Sequence, residues 1–122
     1  MESLNAKEEQ VMQLIWKRKK ALVSDLLEDF DDPKPPQSTL SSIVRKLEEM
    51  GYLGHKAYGR THEYFPLISK GAYKKMKFER MIADYFEGSY QEVVSFMLQE
   101  QALSAEELAR IQQMIGEEEE KT

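Results

Sequence analysis

Apolar positions recur along this chain at helical spacing, break for one aromatic-rich stretch, and resume. Val11, Met12, Leu14, Ile15 and Trp16 form the apolar side of a first helix. Asn5, with Glu8 three residues later, fits a capping box at its start. Val23, Leu26, Leu27 and Phe30 follow an i, i+3, i+4, i+7 spacing and predict a second, short helix with Ser24 as its N-cap. Three prolines within residues 33–36 cannot continue a helix and predict an extended loop. Leu40, Ile43, Val44, Leu47 and Met50 then repeat the helical spacing, and Gly51 is placed to end that third helix in a left-handed conformation. From Leu53 to Tyr58 and from Thr61 to Leu67 the pattern changes to an aromatic, half-alternating one, which predicts two strands joined at Gly59-Arg60.

Helical spacing returns at Phe78, Met81, Ile82, Tyr85 and Phe86, and is interrupted near Gly88-Ser89. Val93, Val94, Phe96, Met97 and Leu98 form a further apolar cluster. Ser104 with Glu107 fits a second capping box, and Leu103 with Leu108 a hydrophobic staple. Leu108, Ile111 and Ile115 line a last helix predicted to stop at Gly116, before a frayed acidic tail. The expected fold is mostly α with a small β wing: a winged helix-turn-helix at 1–74, then a helical dimerisation region at 75–122. About 45 residues do not easily bury a core alone. The apolar faces of the second region are therefore expected to meet in a homodimer, through Phe78, Met81, Ile82, Tyr85, Phe86, Leu108, Ile111 and Ile115.

The polar positions carry the functional signal. Opposite the apolar side of the third helix lie Ser38, Ser41, Ser42 and Arg45, short hydroxyls plus one guanidinium, where a surface helix would more often carry Glu and Lys. A polar front on such a helix suits the major groove, and a basic hairpin tip suits the adjoining backbone or minor groove. The candidate DNA contacts are Ser38, Thr39, Ser41, Ser42, Arg45, Lys46 and, at the tip, Arg60. Lys56 and His62 are further polar groups near the tip.

Charge sharpens this picture. The net charge of −5 argues at first against nucleic acid, but it is unevenly spread. Residues 37–78 carry 8 Lys and Arg against 3 Asp and Glu, while residues 76–122 carry 4 against 11. A basic reading head on an acidic body fits double-stranded DNA as the partner. The run Lys17-Arg18-Lys19-Lys20 reads most simply as a solvated helix end, favourable for the helix dipole.

The chain has 122 residues and no cysteine, which excludes disulfides and thiolate metal sites and fits a cytoplasmic protein. The polar start and the lack of a long apolar run predict neither signal peptide nor membrane insertion. No cofactor or metal site is expected; the two histidines, His55 and His62, read as surface or strand-packing groups. No nucleophile–base pair or phosphate loop points to an enzyme. Two other readings stay open. One is a winged-helix protein–protein adaptor, whose third helix would present an apolar or acidic face. The other is a ligand-responsive regulator with a pocket among Tyr73, Phe78, Tyr85 and Phe86.

The stretches E-E-Q-V-M-Q-L-I-W at 8–16, S-T-L-S-S-I-V-R-K-L-E-E-M-G-Y-L at 38–53, the hairpin at 54–67 and S-A-E-E-L at 104–108 resemble the BlaI/MecI-type penicillinase and methicillin-resistance repressors. The resemblance covers nearly the whole chain. It implies a dimeric repressor on a palindromic operator, with a C-terminal helical dimerisation region. In the antibiotic-resistance members, it further implies release through cleavage at an Asn-Phe bond by a membrane-bound sensor metalloprotease. The nearest match here is Ser95-Phe96, without the asparagine, and the spacing from Phe96 to Leu103 is one residue longer than usual. The inducing signal is therefore open. A copper-responsive sister group uses a C-terminal cysteine cluster, which this chain lacks.

Overall fold

A computed structural model describes residues 2–121, with the backbone alone for Ile115 and 117–121. The chain divides into two compact units, Met1–Lys77 and Phe78–Thr122. The first holds α1 (Ala6–Arg18), α2 (Val23–Glu28), α3 (Gln37–Glu49), β1 (Leu53–Tyr58), β2 (Thr61–Pro66) and the start of α4 (Lys70–Phe86).

Three helices and an antiparallel hairpin enclose one core. Val11, Met12 and Ile15 of α1, Leu26 of α2, and Leu40, Val44 and Leu47 of α3 are buried there with Tyr52, Leu53 and Tyr64. Leu14, Trp16, Val23, Leu27, Phe30, Ile43 and Met50 pack around them, partly buried. The predicted apolar faces are thus the packed faces. The capping box forms as expected: Asn5 Oδ1 accepts from the Glu8 N–H (2.8 Å) and Glu8 Oε1 from the Asn5 N–H (2.9 Å). Gly51 stands at φ +86°, and the Tyr52 N–H closes back onto the Leu47 carbonyl at 2.9 Å. The hairpin pairs Tyr58 with Thr61 across Gly59, at φ +62°, and Arg60.

Some details differ from expectation. Helix α2 starts one residue before Ser24: Leu22 is its N-cap, and the Leu22 N–H donates to Asp25 Oδ2 (2.9 Å). A carboxylate three residues in serves that N–H as well as a capping hydroxyl serves others, so Ser24 is left facing outward. Ala21 exchanges two backbone hydrogen bonds with Tyr64, at 2.9 and 2.8 Å, adding a one-residue bridge to the hairpin. No periodicity signals a single residue.

Tyr73 is not a pocket residue of the second region. It is buried in the first unit, edge-on to Tyr52, and its hydroxyl donates to Glu9 Oε2 (2.9 Å). Lys77 Nζ reaches the same oxygen at 2.7 Å. The Lys77 contact, the Tyr73 hydroxyl and the Lys77 charge all hold Glu9 below the usual carboxylate range, against the effect of burial. The Trp16 indole N–H donates to the Ile68 carbonyl (2.8 Å). The first turns of α4 are therefore fastened to α1.

In the second unit Gly88, at φ +79°, breaks the chain between α4 and α5 (Tyr90–Gln99). The Ser89 side chain caps α5 by accepting from the Glu92 N–H (3.1 Å). The Ser104–Glu107 box opens α6 (Ala105–Lys121). Helix α6 runs on through Gly116, where a stop and a frayed tail are predicted. Glycine weakens a helix by only about 1 kcal/mol, and the glutamates after it are good helix formers.

Candidate nucleic-acid interface

Helix α3 owes its position to its own apolar stripe. Burying Leu40, Val44 and Leu47 turns the hydroxyl and basic positions away from the core, and these divide into two rows. Ser38, Ser41 and Arg45 follow an i, i+3, i+7 row, and so do Thr39, Ser42 and Lys46.

The first row meets the hairpin. Ser41 and Arg45 share an open cleft of about 490 Å³ with Arg60, Thr61 and His62 of the hairpin. Gln37 and Ser24 lie on the same cleft. Ser38 is exposed one turn before Ser41 on the same row. The Arg45 Nε–H donates to the Ser41 carbonyl at 3.2 Å, which steadies the guanidinium along the helix surface. Among the described residues neither Arg45 nor Arg60 has a carboxylate partner. Two arginines that lack a counterion and face one groove suit an anionic backbone.

The second row faces the start of α1. Thr39, Ser42 and Lys46 border a shallow hollow with Asn5, Lys7 and Glu8. Lys46 Nζ lies 3.0 Å from Glu8 Oε2, and Glu8 is only 4% exposed. The Asn5 N–H bond, and then Lys46, keep the Glu8 carboxyl below its ordinary range despite burial. Lys46 thus clips α3 to the capped end of α1.

The other cations are also partly committed. Arg18 forms a two-pronged pair with Asp29, 2.7 Å on the longer arm, so the basic run at 17–20 is not simply solvated. Lys34 donates to the carbonyls ending α2, 2.6 Å from that of Phe30. Lys56 lies over the Tyr58 ring at 5.3 Å.

Sequence reasoning missed the edge of α2 in this cleft and the place of the histidines. His55 and His62 stack at 4.2 Å between centroids, 13° from parallel, and His55 Nδ1 meets Glu48 Oε2 at 2.5 Å. The strand register, which puts residues 55, 57, 62 and 64 on one side of the hairpin, was the available signal.

The predicted dimerisation residues fall in the second unit. Ile82 is buried, Met81, Phe86 and Leu108 are half-buried, and Phe78, Tyr85 and Ile111 are 46%, 79% and 42% exposed. The Ile115 side chain lies outside the described residues. Ser95 and Phe96 sit within α5, with the Phe96 ring edge-on to Phe86. No described helix is long and apolar enough to cross a membrane, and no described cluster of acidic, histidine or cysteine side chains suits a metal ion.

Comparison with known proteins gives a consistent result. The family model of the penicillinase repressor matches residues 4–117. The penicillinase repressor of Bacillus licheniformis is 26% identical over 113 residues, covering 88% of this chain and 85% of that protein. The methicillin resistance regulatory protein MecI of Staphylococcus aureus (strain N315) is 19% identical over 114 residues, covering 93% of each. The solution structure of the DNA-binding domain of the repressor BlaI superposes with a TM-score of 0.51 at 24% identity, covering 58% of this chain and 88% of that one. That likeness shows the winged-helix fold. With a family match that spans nearly its whole length, the chain belongs to the penicillinase repressor family.

Proposed function

We propose that this protein is a cytoplasmic transcriptional repressor that binds a palindromic operator in duplex DNA as a homodimer. The observation that carries the reading is the cleft between α3 and the hairpin, where, among the described residues, Arg45 and Arg60 have no carboxylate partner. In this reading α3 enters the major groove, with Ser38, Ser41 and Arg45 toward base edges and phosphates. Arg60 takes the flanking backbone or minor groove. Thr39 and Ser42 are bordering contacts. Lys46 acts mainly through Glu8, by holding α3 in place.

The exposed rings of Phe78 and Tyr85 and the exposed Ile111 support a shared apolar interface between two copies. Two copies present two reading helices to a dyad, and the tether raises the effective concentration of the second head. Cleavage between Ser95 and Phe96 by a membrane-bound sensor metalloprotease would cut α5 and release α6 from that interface. The bond is helical, so α5 must open locally before a protease can cut it.

The deciding experiment is selection from a random-sequence duplex pool. An enriched inverted repeat, bound more weakly as salt rises, is the expected result. Recovery of no enriched dyad would reject the repressor reading and favour a protein-binding winged helix.

A further inference from the structure

His62 lies in the cleft between α3 and the hairpin. The hairpin register places it beside Arg60 and Thr61, and it lines the groove with Arg45. Its partner His55 is not at the groove: it stacks against His62 and is held from behind by Glu48 near the end of α3. Stacking covers one face of the His62 ring and fixes its plane, while the residue as a whole stays exposed.

Charged groups of α3 and the hairpin lie around His62. From α3 come Arg45 and, behind His55, Glu48; from the hairpin come Arg60, His55 and the Tyr64 hydroxyl. The α2 edge contributes only uncharged side chains at the groove, since Asp25 accepts from the Leu22 N–H. Lys56 and Glu63 belong to the opposite side of the hairpin. In the free protein a charge on His62 would face two guanidinium groups and a stacked imidazole, with Glu48 one ring away. A phosphate in the groove reverses the sign of that environment. It attracts the cation and supplies an acceptor for the ring N–H.

We propose that His62 is a phosphate-contacting residue of the cleft that binds DNA as the imidazolium, so that duplex binding takes up a proton there. The inference rests on the repressor reading and adds to it a third groove cation. Histidine is the side chain suited to this role near neutral pH. Glu48 and His55 are positioning residues, because they orient the His62 ring through the stack.

The test uses the full-length protein and the duplex recovered by selection, titrated at constant ionic strength from about pH 6 to about pH 8. Affinity should rise as pH falls, by at most about tenfold per pH unit for a single proton. The dependence of affinity on salt should also be steeper at the acid end, by about 0.9 in the log–log slope for one added phosphate contact. His62→Gln should remove both effects and match the wild type at the alkaline end. His62→Lys should restore the tight binding without the pH dependence. Equal pH dependence in His62→Gln and the wild type would overturn the histidine assignment alone. Failure of the wild type to bind any duplex would overturn the repressor reading and this inference with it.

Discussion

Each cation of the basic window acts according to what lies beside it. Arg45 and Arg60 face an open groove, and Lys46 faces a buried carboxylate. Their substitutions should therefore fail in different ways. Arg45→Ala should cost about 1–3 kcal/mol at one operator position if the side chain reads a base, measured by anisotropy against single-position operator variants. Arg60→Ala should weaken all duplexes alike and lower the salt slope by about 1. Lys46→Ala should act first on folding, by leaving Glu8 buried beside an empty place. A loss of about 1–3 kcal/mol in urea unfolding is expected. Unchanged stability with reduced DNA binding would instead make Lys46 a plain phosphate contact. The pH dependence has a definite sign. Glu8 and Glu9 are held below their ordinary value of 4.5 in the folded protein. Their contribution to stability is complete above that value and is lost as pH falls below it, through the folded-state values. Thermal melts over the acid range should show this loss, and Lys46→Ala should reduce it.

At the scale of the element, α3 is held by a stripe, a clip and a stop. The stripe is Leu40, Val44 and Leu47; Leu47→Ala should cost about 2–5 kcal/mol in chemical unfolding. The stop is Gly51. At φ +86° a side chain is strained, so Gly51→Ala should destabilise by roughly 1–2 kcal/mol. An unchanged unfolding midpoint would show that the left-handed cap is dispensable. These features were legible because helical spacing and a terminal glycine are local signals. The rows of α3 were less legible. At about 100° per residue its polar side looks like one face. Packing against α1 on one flank and the hairpin on the other splits it, and gives Lys46 a different task from Arg45. The His55–His62 stack was hidden for a related reason, since six residues, the turn among them, lie between the two rings in sequence.

The whole molecule is set by the contrast between its two units. The first buries a continuous core from α1 to Tyr73. In the second, Ile82, Val93 and Leu103 are the buried apolar residues among those described, while Phe78, Tyr85, Tyr90, Phe96 and Met114 are all at least 46% exposed. Sedimentation at micromolar concentration should give a dimer, and replacing Phe78 and Tyr85 together by Ser should shift it toward monomer. A wild type that stays monomeric would reject the shared interface. A chain ending after Ser95 should dimerise less and bind the operator more weakly. Unchanged affinity would show that release, where it occurs, works by another route.

Local chemistry was enough to specify the helices of the winged unit, its hairpin and the cap at Asn5, because spacing, glycine and capping side chains act over a few residues. The same information separated a basic first part from an acidic second part, and the motif stretches pointed to the family that the comparison shows. Tertiary packing alone decided which cations are available. It took Lys46 for Glu8 and Arg18 for Asp29, and left Arg45 and Arg60 open. It also drew Tyr73 into the first core and stacked His62 on His55 beside the groove. The physical reason is that a charge or a ring takes its role from partners many residues away, and those partners become neighbours only once the apolar faces have been buried.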